Sequence, residues 1–419
     1  MTYNQTMIKA QTPKGFRDFL PREALKRKYV QRIIETTFAS YGFDPLETPA
    51  LEYAETLTGK YGTEADKLLY LFKDNGGRQV GLRYDQTVPL SRVVAQYGQD
   101  LVLPFKRYQI QPVWRAENTQ KGRYREFLQC DIDTVGSDSC LTDVEIIACT
   151  IDGLKKIGFK KPQIIINDRT IFDSLGLSKK EIIIIDKLDK IGEAAVIEEL
   201  EKSGRKSAQE LFYSIRSATK TDRLQEIFTA LEMSNFVEGL DFRFEPFLAR
   251  GLDYYTSTIF EAKILDLMTP LSVAGGGRYD TLIGTFSGRD VPAVGIAFGF
   301  DRIIEIAGEL SLLPTFNTST TMLICTMGPK NLDLSLTLAD NLRNDGQINT
   351  EIYPDPTAKL DKQLKYANKK GIPFVAILGE DEVKTQSVTL KNMIDGKQTS
   401  LKISQLKDIA DYVKEPTLV

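Results

Sequence analysis

The spacing of apolar residues predicts a first part of the chain in which helices and strands are mixed. Apolar side chains recur at helical spacing over residues 24–41, where Gly42 would end the helix, and again over residues 143–157. Residues 46–51 contain Pro49, which cannot donate to a central ladder, so we expect an extended edge segment there. Further strands are predicted at residues 69–72, 79–82, 107–114 and 163–166.

A change of pattern follows over residues 178–239, where Lys and Glu alternate with Leu and Ile at helical periods and strand signals are few. This pattern predicts a small helical insertion. Strand patterns then return, and we expect strands at residues 242–244, 252–263, 273–274 and 293–300, with a helix at 301–310.

The last part of the chain predicts a separate α/β unit. Residues 311–320 contain Pro314 and a cluster of Ser, Thr and Asn, which is typical of a linker. Beyond the linker we expect strands at residues 321–327, 348–353 and 374–378, and helices at 331–345, 357–370 and 404–414. The pattern as a whole favours a compact α/β domain attached to a larger α+β domain.

Composition is that of an ordinary globular protein with more than one domain. The chain has 419 residues, of which 42% are apolar and 26% charged. No apolar stretch has the length of a signal-peptide core or a membrane span, so we expect a cytoplasmic protein with no membrane partner. The four cysteines form no CxxC pair and no zinc-like spacing, which predicts reduced thiols and no metal site of protein side chains.

Histidine is absent from the whole chain. Its absence excludes Ser-His-Asp hydrolysis and His-ligated zinc, because the usual general base near neutral pH and the commonest metal ligand are both missing. Any chemistry must use carboxylates, Arg, Lys, Tyr or a group of the substrate. Because the net charge is −3, a nucleic-acid partner would have to bind local basic patches.

Residues 115–136 carry the most informative pattern, a basic hairpin between two polar-faced strands. In the second strand Gln129, Asp131 and Asp133 alternate with apolar residues, so one face carries an amide and two carboxylates. This combination is explained equally well by a site for an anion and a cation together and by an exposed hairpin with salt-bridged sides. The basic residues of the hairpin are Arg115, Lys121, Arg123 and Arg125.

Three more segments carry candidate chemistry, and each also has an ordinary structural explanation. In residues 250–256, Arg250 precedes Tyr254 and Tyr255, which we expect on opposite faces of a strand, where tyrosines are more often packing residues. Residues 275–280 begin with three glycines, which permit close backbone approach or form a plain loop. Residues 295–302 place small residues on a strand and an arginine at the next helix start, a good phosphate neighbour.

In this order the segments resemble the signature motifs of the class II aminoacyl-tRNA synthetases, and among them the histidyl-tRNA synthetase family. Residues 46–52 are similar to motif 1, residues 115–136 to motif 2 and residues 293–302 to motif 3. The sequences LARGLDYYTSTIFE and GGGRYD resemble the two histidine-specific signatures. The resemblance covers essentially the whole chain.

The resemblance implies an α+β fold, with a class II antiparallel-sheet catalytic domain that contains a helical insertion, and a C-terminal α/β anticodon-binding domain. We expect the catalytic domain at residues 1–319, its insertion at about 170–239, and the anticodon-binding domain at 320–419. The implied activity is ATP-dependent ligation of histidine to its cognate tRNA through a histidyl-adenylate. The implied partners are L-histidine, ATP, the histidine tRNA and a second copy in a homodimer, with Mg²⁺ bound mainly through the ATP phosphates.

Carried over residue by residue, the resemblance implies an ATP site. Arg115 and Arg302 would hold the α- and γ-phosphate ends of a bent ATP. Arg250 would lie against the α-phosphate, where it would stabilise the charge that develops on the phosphate oxygens. The residues expected to bind ATP are Arg115, Glu117, Arg123 and Arg302, and those expected to be catalytic are Arg250, Arg115 and Gln129.

The resemblance implies a histidine pocket in the same way. Asp133, Tyr255 and Tyr279 would contact the imidazole ring, because a carboxylate and a phenol can each bond a ring nitrogen. Asp131 receives no role. The α-amino group would be held by Asp85, Thr87 and Gln129, and the full set expected to bind histidine is Asp85, Thr87, Gln129, Asp133, Arg250, Tyr254, Tyr255 and Tyr279.

A protein of a different class remains an alternative. A non-catalytic paralogue, such as the regulatory subunit of ATP phosphoribosyltransferase, would bind histidine and a partner protein without charging tRNA. Those paralogues lack the C-terminal domain and commonly lose the arginine signature, whereas Arg250 and residues 321–419 are present here. A sensor or RNA-binding pseudo-synthetase is disfavoured for the same reason.

One helix of the C-terminal part is rich in lysine. A solvated helix face is the usual explanation for such a run, and a contact with the anticodon stem is the functional one. The lysines are Lys359, Lys362, Lys365, Lys369 and Lys370.

Overall fold

The computed structural model describes residues 9–61, 66–119, 122–251 and 254–414. Lys121 of the basic hairpin therefore lies outside the described residues. The chain divides into one unit of Met1–Asp18 with Val30–Leu313 and another of Phe19–Tyr29 with Pro314–Val419. Among the helices of the described part, none combines the length and the apolar character needed to cross a membrane.

The strands of the first unit form two sheets. They are β1 (Asp44–Pro45), β2 (Leu51–Tyr53), β3 (Leu71–Lys73), β4 (Gln79–Leu82), β5 (Phe105–Trp114), β6 (Glu126–Val135), β7 (Pro162–Asp168), β8 (Phe242–Phe244), β9 (Thr258–Ile264), β10 (Leu271–Arg278) and β11 (Ala293–Gly299). The larger sheet has the order β1-β5-β6-β11-β10-β9-β7-β8, and β2-β4-β3 form the smaller one. In the larger sheet the outermost pairs are parallel and the inner pairs antiparallel, which confirms the predicted fold class.

Helices cover one face of the larger sheet. Helix α1 spans Pro21–Ser40, and its part from Val30 onward belongs to this unit. The other helices of the unit are α2 (Ala54–Leu57), α3 (Thr87–Tyr97), α4 (Cys140–Ile157), α5 (Arg169–Ser174), α6 (Lys179–Ile185), α7 (Leu188–Ile191), α8 (Glu193–Lys202), α9 (Ala208–Arg216), α10 (Asp222–Met233), α11 (Gly284–Ser287) and α12 (Phe300–Glu309). Apolar side chains of α1, α4, α10 and α12 share one core with Cys130 and Ile132 of β6. Because strand side chains alternate, Gln129, Asp131 and Asp133 must lie on the opposite face.

The predicted helical insertion is confirmed as helical, with one difference in packing. Helices α6, α8 and α9 enclose a small core of their own, which includes Ile182, Leu200 and Phe212. Leu224 and Phe228 of α10 belong instead to the core under the larger sheet. Helical periodicity alone could not distinguish these two partners, because it fixes the apolar stripe of a helix and not what the stripe contacts.

One predicted segment differs from the structure, and for another the structure shows which of two alternatives is present. Residues 46–50 lie between β1 and β2 and form no strand, because the carbonyls of Thr48 and Pro49 accept from the buried Arg83 guanidinium, at 2.7 and 3.3 Å, and not from a neighbouring strand. Residues 275–277 lie in β10 and not in a loop. Antiparallel pairing with β9 and β11 on both sides holds these glycines extended.

The second unit is an α/β arrangement around a five-stranded sheet. Its elements are β12 (Met322–Thr326), α13 (Leu332–Asn344), β13 (Thr350–Ile352), α14 (Leu360–Lys370), β14 (Phe374–Leu378), α15 (Glu380–Thr385), β15 (Ser387–Asn392), β16 (Gln398–Lys402) and α16 (Leu406–Lys414). The sheet order is β13-β12-β14-β15-β16, with the first three strands parallel. The helix predicted at residues 331–345 is present, and it buries Leu338 and Leu342.

The start of α6 yields a prediction about stability. Glu181 accepts hydrogen bonds from Arg205 and from Ser178, the first residue of a capping box, and these contacts hold the pKa of its carboxyl at about 2. Glu181→Gln is expected to lower the local free energy of unfolding by about 1–2 kcal/mol at pH 7. Native-state amide exchange of α6 measures this loss.

The pH dependence follows from the direction of the shift. A carboxyl whose pKa is lower in the folded state contributes stability above its ordinary pKa of 4.5, and this contribution disappears as the pH falls toward about 2. The difference between wild type and Glu181→Gln should therefore shrink below pH 4.5. Glu198→Gln, which removes an exposed pair with Lys202, is the matched control and should change stability far less than Glu181→Gln does. Equal losses in both variants would contradict the prediction.

Candidate active site

A cavity of about 1040 Å³ lies on the polar face of the larger sheet, within the first unit. Strands β6, β10 and β11 form its floor, and Ile183, Asp186 and Lys190 from the helical insertion contribute to its wall. The structure brings every predicted site residue to this lining. They are Asp85, Thr87, Arg115, Glu117, Arg123, Gln129, Asp133, Arg250, Tyr254, Tyr255, Tyr279 and Arg302.

Glycines on the floor allow polar side chains to lie against the sheet. A Cβ atom at Gly295 would lie 1.9 Å from Asp133 Oδ1, and one at Gly275 would lie 2.4 Å from the Arg250 guanidinium. At Gly276 a Cβ would lie 2.0 Å from the backbone oxygen of Gly295. The glycines of GGGRYD and of the motif 3 segment are therefore required by close approach, which was one of the two alternatives for GGGRYD.

Asp133 is held in place by a group from β5 and by the residue that follows β10. Its register partner on β5 is Arg107, which forms an ion pair with Asp133 Oδ2 at 2.7 Å, and the Tyr279 hydroxyl donates to Oδ1. Burial raises the pKa of the Asp133 carboxyl, and Arg107 and Tyr279 partly offset the rise. The Asp133 carboxylate thus has a protein partner on each oxygen.

Asp85 and Gln129 line the same cavity as Asp133. Asp85 precedes α3, and its Oδ1 accepts from Tyr61 Oη and from the Val88 backbone N–H, both at 3.1 Å. The bond to Val88 satisfies an N–H in the first turn of the helix. Burial raises the pKa of the Asp85 carboxyl. Gln129 donates through Nε2 to Asp131 Oδ2 at 3.3 Å.

The arginines of the lining are each anchored by a neighbouring group. Arg115 donates from Nε to the Tyr84 carbonyl at 3.1 Å, and its guanidinium lies 4.3 Å from the centroid of the Tyr84 ring. Arg302, in the first turn of α12, donates to the Ser272 carbonyl at 2.8 Å. Arg123 lies 3.7 Å from the Glu117 carboxylate. Fixed guanidinium groups of this kind suit phosphate oxygens.

Arg250 and the paired tyrosines lie together on one side of the cavity. Arg250 Nη1 lies 3.3 Å from Glu261 Oε2 on β9. Tyr254 and Tyr255 are both buried, both line the cavity, and their ring centroids are 4.9 Å apart. The prediction that they face opposite ways was wrong, because β9 begins only at Thr258 and the tyrosines precede it.

Three residues of the site received no role from the sequence. Asp131 is buried on the lining although the resemblance gave it no role, and its period-two spacing with Asp133 was the available signal. Arg107 was missed because nothing in its own strand marks it as the partner of Asp133. Asp186 belongs to the insertion, and its position on the lining depends on tertiary packing that has no signal in the sequence.

Comparison with known proteins gives the family of the chain. The family model of the histidyl-tRNA synthetases matches residues 15–303, and the model of the anticodon-binding domain matches residues 321–412. The chain belongs to the histidyl-tRNA synthetase family. The predicted family and fold class are thus confirmed.

Relatives of known name agree with this assignment. The histidine–tRNA ligase of Cytophaga hutchinsonii is 41% identical, covering 94% of this chain and 97% of the relative. That of Azobacteroides pseudotrichonymphae is 40% identical over 98% of this chain and 100% of the relative.

Solved structures of the histidyl-tRNA synthetase family also agree. The histidyl-tRNA synthetase of Nostoc sp. PCC 7120 is 31% identical, with a TM-score of 0.83, over 97% of this chain and 99% of that one. A Bacillus halodurans ATP phosphoribosyltransferase regulatory subunit/histidyl-tRNA synthetase, 22% identical with a TM-score of 0.70, covers 86% of this chain and 97% of its own, and shares the fold.

The glycine floor yields a prediction that separates two neighbouring positions. Gly276→Ala should lower the free energy of unfolding by about 1–3 kcal/mol, because its Cβ would meet the Gly295 backbone, which cannot move without disturbing the sheet. Gly275→Ala should cost less, because its Cβ would meet the end of the flexible Arg250 side chain. Thermal unfolding measures both changes, and a crystal structure of Gly275→Ala should show Arg250 displaced. Greater destabilisation by Gly275→Ala would contradict this prediction.

Proposed function

We propose that this member of the histidyl-tRNA synthetase family carries out both steps of charging with the residues of the cavity described above. Histidyl-adenylate forms first from L-histidine and ATP, and the histidyl group then moves to the 3′ end of the cognate tRNA. The observation that carries the proposal is the cavity itself, because arginines suited to phosphate and carboxylates suited to an amino acid line the same space. The family match, which includes the anticodon-binding range, supports the same conclusion.

ATP binds through the arginines and Glu117. Arg115 and Arg302 hold the two ends of the triphosphate with guanidinium groups that backbone carbonyls keep in place. Arg123 lies beside them with Glu117. Mg²⁺ prefers phosphate and carboxylate oxygens, so Glu117 fits beside an ion held mainly by ATP. The ion neutralises phosphate charge when bound.

In the first step the histidine carboxylate attacks the α-phosphorus, and the bond from that phosphorus to the pyrophosphate oxygen breaks. Arg250 stabilises the negative charge that develops on the α-phosphate oxygens, and Glu261 fixes the direction of its guanidinium. Asp85, Thr87 and Gln129 hold the α-amino group. The imidazole ring is bound by Asp133, Tyr255 and Tyr279, whose polar groups reject similar-sized side chains that lack ring nitrogens.

In the second step the 3′-terminal tRNA hydroxyl attacks the histidyl carbonyl carbon, and the bond from that carbon to the AMP oxygen breaks. The hydroxyl proton needs an acceptor, and the chain has no histidine to provide one. We assign this role to an oxygen of the substrate phosphate. Gln129 orients the substrate for this step through its amide.

Arg250 provides the direct test of the first step. Replacement of one preorganised group that stabilises transition-state charge typically costs 10²–10³-fold in rate. Arg250→Ala should therefore slow histidine-dependent pyrophosphate exchange by roughly that factor. Arg216→Ala, which removes an exposed arginine of α9 paired with Glu193, is the control and should leave the rate unchanged. Wild-type protein that shows no histidine-dependent exchange would refute the proposed function.

The second unit is assigned to the anticodon side of the tRNA. Lys362, Lys365 and Lys369 project from α14 as exposed side chains, and Lys362 and Lys365 have only exposed acidic neighbours. Lys370 is different, because it pairs with Glu351 and Tyr366 inside the unit. Lys362, Lys365 and Lys369 are therefore better candidates than Lys370 for contacts with tRNA phosphates.

Salt dependence tests this contact. Each phosphate contact contributes about 0.7–0.9 to the slope of log affinity against log salt concentration. Replacement of Lys362, Lys365 and Lys369 together by Ala should lower the magnitude of that slope by about 2–3 and weaken tRNA binding. Filter binding or fluorescence titration from 50 to 200 mM salt measures this change. Unchanged affinity and slope would remove α14 from the tRNA interface.

A homodimer is proposed through the small sheet around motif 1. Leu51 and Tyr53 of β2 and Phe72 of β3 share one face of the sheet, and they are 40%, 51% and 46% exposed. Exposed apolar side chains grouped on one face are typical of protein–protein contacts. Phe72→Glu should shift the protein toward monomers in sedimentation velocity, and wild-type protein that sediments as a monomer would contradict the proposal.

We also propose the domain boundaries and the cellular location. The ranges of the two family models support a catalytic domain at residues 1–319, with its insertion at about 170–239, and an anticodon-binding domain at 320–419. Because tRNA charging serves translation, the protein acts in the cytoplasm and needs no membrane partner.

A further inference from the structure

Among the buried carboxylates that line the cavity, Asp131 has the fewest hydrogen-bond and ion-pair partners within the described residues. The side chain is 1% exposed and lines the cavity between Gln129 and Asp133. Its Oδ2 accepts a single bond from Gln129, at 3.3 Å, and its Oδ1 has no hydrogen-bond partner in the part of the chain that the structure describes. Asp133, two residues along the strand, has Arg107 and Tyr279 as partners.

The two register partners of Asp131 do not supply the missing donor. On β5 the register partner of Asp131 is Gln109, whose Nε2 already donates to Thr48 Oγ1 at 2.8 Å and to Gln111 Oε1 at 2.6 Å. An amide nitrogen has two hydrogens, so both are used. On β11 the register partner is Ala297, which has no polar side chain. A buried carboxylate with one neutral donor is costly, which indicates a ligand group that completes it.

Other acceptor atoms of the lining share this condition. Asp66 Oδ1, Asp85 Oδ2 and Gln129 Oε1 are buried and have no hydrogen-bond partner among the described residues. Burial raises the pKa of Asp131 well above its ordinary value. Arg107 lowers it, and the negative charges of Asp133 and Asp85 raise it further. Asp85 and Asp131 are thus close enough to interact electrostatically, and a cation between them would relieve their repulsion.

We infer that Asp131 binds the α-ammonium group of histidine together with Asp85 and Gln129, so that three unpartnered acceptors receive its three N–H donors. The inference rests on the proposed function, to which it adds a residue that the resemblance left without a role. It also separates the two carboxylates of β6. Asp133, which is already partnered, faces the ring, and Asp131 determines specificity for an ammonium group over a neutral group at the α-carbon.

Asp131→Asn tests the inference, because asparagine keeps the shape of the side chain and removes its charge. Loss of a charge-assisted bond corresponds to a decrease in affinity of about 10- to 100-fold. The KM for histidine in pyrophosphate exchange and the Kd for histidinol, measured by calorimetry, should both rise by that factor, whereas the KM for ATP should stay within twofold. Imidazole-lactate carries a hydroxyl in place of the ammonium, so its Kd should not change.

A structural role for Asp131 would give a different result. Removal of a poorly partnered buried carboxylate should leave the thermal midpoint unchanged or raise it, both in Asp131→Asn and in Asp131→Ser. A midpoint that falls by more than about 5 °C in both variants would overturn the inference. So would unchanged affinity for histidinol, or equal losses for histidinol and imidazole-lactate.

The controls separate this inference from the proposed function. Asp138→Asn makes the same chemical change at a side chain that is 75% exposed, and it should leave all constants unchanged. Wild-type protein without histidine-dependent exchange would refute the proposed function. An active wild type with an Asp131→Asn variant of unaltered histidine KM would refute only the role of Asp131.

Discussion

The site depends on the close approach of polar side chains to a sheet floor that has no side chains of its own. Gly275 and Gly295 leave the space that Arg250 and Asp133 occupy, and Gly276 lets the backbones of β10 and β11 come together. A methyl group at any of these positions would overlap a polar group or the backbone. The GGGRYD segment, the motif 3 segment and the polar strand β6 therefore pack as one unit, although they lie apart in the sequence.

Buried arginines form a second layer of support. Arg83, Arg107 and Arg278 are the largest fully buried side chains among the described residues. Arg83 binds the carbonyls of Thr48 and Pro112, and although burial lowers its pKa to about 10, it remains charged at neutral pH. Because Arg83 directly precedes Tyr84 and Asp85, its bonds also fix the start of the substrate-binding segment. The arginines of the lining differ, since they face the cavity and leave guanidinium groups available to a ligand.

The sequence predicted the parts of the molecule that depend on local pattern. Alternation identified β6 and its polar face, and helical periods identified α4 and the insertion. The leucines of α13 alternate with strand period, and Gly346 after them was the signal that favoured a helix. Contacts between segments that are distant in the sequence could not be predicted from local patterns. Register with β5 made Arg107 the partner of Asp133, strand pairing on both sides turned the Gly275–Gly277 segment into part of β10, and packing brought Asp186 to the cavity. Asp131 differs from these, because its spacing with Asp133 is visible in the sequence but the family resemblance gives it no role.

The lining of the cavity consists of carboxylates, amides, phenols and guanidinium groups, and it contains no imidazole because the chain has none. In a preparation without a histidine tag, every histidyl imidazole resonance in a nuclear magnetic resonance spectrum therefore comes from the ligand. The tautomer and the protonation state of bound histidine can be followed directly as the pH changes, without isotopic labelling or resonance assignment of the protein. Because the chain has no histidine, the protein contributes no imidazole resonance that could be confused with that of the bound ligand.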